Sequence, residues 1–134
     1  MNYLALVNDA LSLIAVRPEG QDATAEQGQL ALSVASAMLE EWADEGIFVS
    51  WPAAPTLDDL CGLAGTERTA VTHALALRLC PHFGREPPPS LVGLAMTTFN
   101  RLARQQMLAR MEESNAVLPA ADAGGAWYDI ERGE

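Results

Sequence analysis

Most clusters of apolar residues in this chain recur with the period of a helix. The densest cluster is Ala70-Val71-Thr72-His73-Ala74-Leu75-Ala76-Leu77-Arg78-Leu79-Cys80-Pro81. Its apolar residues cover nearly every side of a helix, and only Thr72, His73 and Arg78 interrupt them. A helix that is apolar almost all round must be wrapped by other elements. The segment therefore predicts the central helix of a small helical domain. Each polar exception on it needs a partner or an opening to solvent, and His73 reads as a core histidine bonded to a neighbour.

The flanking segments supply the wrapping. Leu4, Val7, Leu11 and Ile14 predict a first helix from about Tyr3 to Ala15, broken by Arg17-Pro18-Glu19-Gly20. Thr24 with Gln27 forms a capping box for a second helix reaching about Glu45. Its expected core stripe is Leu30, Val34, Met38 and Trp42, and Gly46 stands where a left-handed cap is usual. Ile47 to Pro52 predicts one extended piece or an edge strand, which cannot form a sheet alone. Thr56 is expected to cap a short helical turn over Leu57 to Leu60, with Gly62 and Gly65 ending it. Thr66 and Glu67 open the central helix. After the rigid Pro87-Pro88-Pro89 elbow, Ser90 is expected to cap a last long helix. Leu91, Leu94, Ala95, Thr98, Phe99 and Leu102 form its stripe, with Met107 and Met111 as a continuation. The expected fold class is all-α: a small helical bundle over residues 1–113 and an extended C-terminal arm over residues 114–134.

The arm differs in character from the bundle. Pro119 and the Gly124-Gly125 pair oppose helix, yet Trp127, Tyr128 and Ile130 follow them. Burying a large apolar side chain is worth about 1.5–3 kcal/mol. A spacer ending in such a cluster reads as an arm that docks on a partner. A frayed terminus is the plainer reading.

Composition narrows the function classes. The chain has 134 residues and a net charge of −10. Its eight basic residues are all Arg. A chain this acidic is a poor candidate for gripping nucleic acid, because phosphate contacts need a basic face. Two cysteines, Cys61 and Cys80, are few for a secreted disulfide scaffold. The first residues lack the positive region of a signal peptide, and no apolar run reaches membrane-spanning length. The expectation is a protein made in the cytoplasm, reduced and not membrane-bound.

Candidate chemistry is sparse. Cys61, His73, Cys80 and His82 are metal-ligand types at a spacing that matches no common zinc pattern, so neither a metal nor a cofactor is expected. Glu40, Glu41, Asp44 and Glu45 share the last turn of one helix. Catalytic carboxylates face each other across a cleft, and these do not. Acids there oppose the helix dipole, which leaves an Arg-lined partner or a solvated face. Arg101, Arg104 and Arg110 sit near one face of the last helix and suit the acids of a neighbouring subunit. No nucleophile elbow and no phosphate loop occurs, so no catalytic residue is expected.

Two blocks carry a resemblance. Ala37-Met38-Leu39-Glu40-Glu41-Trp42-Ala43-Asp44-Glu45-Gly46-Ile47 is one. Ala70-Val71-Thr72-His73, followed by Leu75-Ala76-Leu77-Arg78 and Pro81, is the other, with Glu86-Pro87 shortly after. Together they resemble the head-to-tail adaptors of short-tailed bacteriophages, the packaged-DNA stabilisation or tail accessory factors. The segment from Trp51 to Thr69 and the tail after Glu113 show no clear match. The resemblance implies a non-enzymatic virion subunit that binds beneath the portal protein. Neighbouring copies form a ring, expected to be a dodecamer, that extends the DNA channel, retains packaged DNA and offers a platform to tail or nozzle proteins. DNA passes through without specific binding, and a net negative charge suits such a channel. The residues expected to meet partners are Trp127, Tyr128, Ile130, Arg101, Arg104, Glu41, Asp44 and Glu45. The alternatives are a small carboxylate-based cell-wall hydrolase of a phage and a generic helical regulator.

Overall fold

The computed structural model describes residues 2–16 and 20–117. Among them the chain is all-α: α1 (Tyr3–Leu13), α2 (Ala25–Asp44), α3 (Gly65–Leu79), a single 3₁₀ turn (Pro81–Phe83) and α4 (Pro89–Val117). It divides into two units, Met1–Leu102 and Ala103–Glu134. The segment expected to form the arm lies outside the described residues. α4 itself runs beyond Glu113, where the sequence pattern suggested a change of character, as far as Val117.

In the first unit, α3 packs against both α1 and α2. Ala70, Val71, Leu75, Ala76, Leu79 and Cys80 are buried, and the residues between them are at least half-buried. Leu6, Val7 and Leu11 of α1 and Met38 of α2 complete the deepest layer. The apolar circumference of α3 thus has the surroundings it requires. His73 is half-buried rather than a core residue, and its Nδ1 lies 2.8 Å from the Thr69 carbonyl. A carbonyl only accepts, so Nδ1 is the donor in this bond.

Local chemistry sets the helix ends. Asn2 Oδ1 accepts from the Ala5 N–H at 3.0 Å. The N–H groups of Tyr3 and Leu4, which have no partner inside α1, donate to the carbonyls of Asp59 and Leu57 at 3.1 and 3.0 Å. The Thr24–Gln27 capping box closes in both directions, at 3.2 and 3.0 Å. Gly46 adopts a φ of 89° just past α2. At the start of α3, Glu67 accepts from the Ala64 N–H at 3.3 Å.

Several elements differ from the sequence expectation. α1 stops at Leu13, not Ala15, because Ala15 takes a left-handed φ of 56° and the Val16 N–H turns back to the Leu11 carbonyl. This is the bonding of a Schellman cap. The buried face of α2 is Gly28, Ala31, Leu32, Ala35, Met38, Leu39 and Trp42, with Leu30 and Val34 only half-buried. Gly28 explains the rotation: a Cβ there would stand 2.5 Å from Leu57 Cδ1, so the loop before α3 packs directly on the glycine. Residues 47–52 form no strand. Ile47 is buried and donates to the Trp42 carbonyl, while Trp51 donates to Ser36 Oγ at 3.0 Å and meets Tyr3 edge-on at 5.0 Å. Thr56 caps no helix; Asp59 accepts from its N–H and closes a turn. Pro88, not Ser90, accepts the first N–H donors of α4, with Pro89 as its first residue. On α4 the buried positions are Leu91, Ala95, Thr98 and Leu102, whereas Leu94, Met107 and Met111 are exposed.

Two stability outcomes follow. Trp42, 4 % exposed and edge-on to Phe99 at 5.0 Å, should lose about 3–5 kcal/mol on Trp42→Ala, read by chemical denaturation. Ala15→Gly removes the strain of a Cβ in the left-handed region and should raise stability by about 0.5–1 kcal/mol. An unchanged midpoint for that variant would mean the cap is not strained in solution.

Candidate functional site

The strongest candidate surface in the first unit is a groove where α2, α3 and α4 converge. Trp42 comes from the last turn of α2. Ala74, Leu77 and Arg78 come from α3, and Ala95, Met96, Phe99 and Asn100 from α4. They enclose about 310 Å³. The floor is built from small and aromatic side chains: Ala74 and Ala95 leave room, and Phe99 is braced against Trp42. Met96, 62 % exposed, forms the lip. An open apolar concavity of this composition suits an apolar side chain of a partner better than a polar metabolite.

One charged feature borders the groove. Arg78 donates two hydrogen bonds to Glu41, at 2.7 and 3.0 Å. This fork geometry is the strongest form of such a pair. Arg78 lies in the last turn of α3, where a cation complements the helix dipole. The bond to Glu41 raises the Arg78 pKa further, and Glu45 adds to it through space. The pair joins α2 to α3.

The remaining hollows of this unit are more polar or smaller. One, about 240 Å³, is lined by Ser36, Leu39, Glu40 and Trp51 beside the exposed Phe48. Two others flank the start of α3 and share Gly65 and Thr69. Arg68, Thr72 and His73 line one of them, Thr98 and Arg101 the other.

The expected partner-binding residues are placed as follows. Glu41 is held by Arg78 of its own chain. Asp44 and Glu45 are exposed on the same helical turn. Arg101 is exposed beside the α3 start, and Arg104 is exposed in the second unit. Trp127, Tyr128 and Ile130 lie outside the described residues. Among the described residues, no group of three or more His, Cys, Asp or Glu side chains is placed to hold a metal ion. Cys80 is buried with its Sγ 3.5 Å from the Ala76 carbonyl, and burial pushes its thiol pKa up. No helix among them is long and apolar enough to cross a membrane. Sequence reasoning missed the groove itself. Its one signal was Met96, an apolar residue beside, rather than on, the buried α4 stripe.

The ion pair makes a pH prediction. Hydrogen bonding to Arg78 holds the Glu41 carboxyl below its ordinary value of 4.5. A group whose folded pKa is depressed stabilises the fold above the unfolded value and loses that contribution as pH falls through the folded pKa. Glu41→Gln should therefore melt slightly below the wild type near neutrality, by a small margin because the pair is exposed. That margin should vanish on acidification below 4.5. Melting curves of both proteins across this range check it, and a margin that persists in acid would contradict the pairing.

No protein-family model matches this chain, and no curated protein matches it.

Proposed function

We propose that the chain is a structural subunit of a phage head-to-tail connector. It binds below the portal, joins neighbouring copies in a ring and carries no catalytic activity. One observation supports this most: the two segments that resemble the adaptor family lie against each other. Residues 37–47 complete α2 and its glycine cap, and residues 70–81 include the buried body of α3. Arg78 and Glu41 link them at 2.7 Å. Beside them, and closed by α4, opens an apolar groove with the exposed Met96 on its lip. A subunit that must dock on several partners needs such surfaces. The net charge of −10 suits a wall past which DNA slides rather than binds.

In this reading tail or nozzle proteins attach to the assembled ring, and Trp127, Tyr128 and Ile130 serve as apolar anchors on the portal or a neighbour. Aromatic anchors often dominate a binding energy. The test is assembly on a purified portal ring, followed by native mass spectrometry. The expected result is a closed ring of adaptor copies matching the portal's own copy number. Trp127→Ala combined with Tyr128→Ala should weaken loading about tenfold or more while the melting curve stays unchanged. Absence of any portal complex with the wild-type chain would defeat the connector reading. Loss of cell-wall material on adding the protein would favour the hydrolase.

A further inference from the structure

The polar residues that interrupt the buried body of α3 are Thr72, His73 and Arg78. Arg78 is paired with Glu41, and His73 bonds the Thr69 carbonyl. Thr69 and Thr98 turn their hydroxyls back onto their own helices, at 2.8 and 2.7 Å. Thr72 does not. It is 8 % exposed, and its hydroxyl has no hydrogen-bond partner among the described residues. Yet no fully buried side-chain nitrogen or oxygen among them lacks a partner. The Thr72 hydroxyl therefore keeps a face open, towards the hollow that this residue lines.

That hollow holds about 370 Å³ and is lined by Asp9 of α1 and by Gly65, Arg68, Thr69, Thr72 and His73 of α3. The α3 residues follow one another at helical spacing, so they form one face over its first two turns. At the start of that face, Ala64 provides no side-chain cap, and the first N–H groups of a helix have no partner within it. A Cβ on Gly65 would meet nothing within 4 Å, so this end is open. Asp9 and Arg68 add opposite charges, and both are exposed. Among the described residues the one ion pair is Arg78–Glu41, so neither charge is spent on the other or elsewhere.

We propose that this hollow binds a free α-amino acid with the side chain of glutamine. The carboxylate sits at the start of α3 with Arg68, where open N–H groups and the helix dipole favour an anion. The ammonium sits against Asp9. A simple anion would have to face Asp9, and a simple cation would have to face Arg68; a zwitterion answers both. The Thr72 hydroxyl, which can donate and accept, takes the side-chain amide. Length selects glutamine. Gly65 and Thr72 are about 10 Å apart along the helix axis. A hydrogen bond of about 3 Å at each end leaves roughly 5 Å, the separation of the two terminal carbons of glutamine. Serine and asparagine are too short. The site goes beyond the connector reading and does not depend on it.

Titration of the full chain with L-glutamine, followed by amide chemical shifts, tests this. The expected result is saturable shifts at Asp9 and residues 65–73, with a Kd on the order of 1 mM. Glutaramate lacks the ammonium and γ-aminobutyramide lacks the carboxylate; each should bind about tenfold more weakly. Norvaline keeps both charges but carries a methyl in place of the carboxamide, and it should bind the wild type several-fold more weakly. Thr72→Val should bind glutamine and norvaline equally. It should melt no lower than the wild type, because the chain loses no hydrogen bond. A marked fall in its melting temperature would show the hydroxyl bonded within the chain and would overturn the site. So would a lack of saturable shifts at these residues up to about 50 mM glutamine. Either analogue binding as tightly as glutamine would reduce the site to a single charge and refute the zwitterion. A Thr72→Val variant that still prefers glutamine to norvaline would remove Thr72 from the site and refute the proposal. Loading onto the portal is a separate readout, and neither result decides the other.

Discussion

The rest of this structure depends on one constraint: the body of α3, from Ala70 onward, has no fully exposed residue. From Ala70 to Cys80 every residue is buried or half-buried, and a helix of that kind cannot stand until others surround it. α1 and α2 therefore lean on it from different sides. The loop before α3 shows how far this goes. Its carbonyls satisfy the first N–H groups of α1, and its Leu57 sits on Gly28 of α2. One irregular segment thus helps set the positions of the two helices that enclose the third.

The same constraint generates the candidate surface. Arg78 is part of α3, yet its guanidinium must stay solvated or paired. It reaches out at the last turn of the helix and finds Glu41. Beside that exit the packing of α2, α3 and α4 is completed by alanines rather than large side chains, so a groove remains. Trp42 and Phe99 stiffen its wall through their edge-to-face contact.

Charge acts at a different scale from packing. The excess of acids over Arg does not choose the fold, but it affects which partners the surface tolerates. On α2 the acids crowd the helix end, against the dipole. Arg78 relieves part of that unfavourable clustering within the chain, and the exposed Asp44 and Glu45 remain available to a cationic neighbour. Beside the apolar groove stand Glu41 and Glu45 with the single cation Arg78, the opposite of the basic face that phosphate contacts need.

The sequence by itself determined the helical class, the central place of α3, the capping box at Thr24, the left-handed stop at Gly46 and the burial of Trp42. Each follows from local bonding or from a periodicity that only one element can satisfy. Tertiary structure decided which face of α2 is buried, because Gly28 matters only once Leu57 arrives from a distant loop. It decided that α1 ends in a left-handed alanine, that Pro88 rather than Ser90 starts α4, and that residues 47–52 pack as coil through the Trp51–Ser36 bond. It also paired Glu41 with Arg78, two residues far apart in the chain, and left Met96 bare at the mouth of a groove. Periodicity reports that a residue is apolar and on which side of its helix it lies. Whether another element comes to cover that side depends on the packing of the whole unit, and no window of sequence contains it.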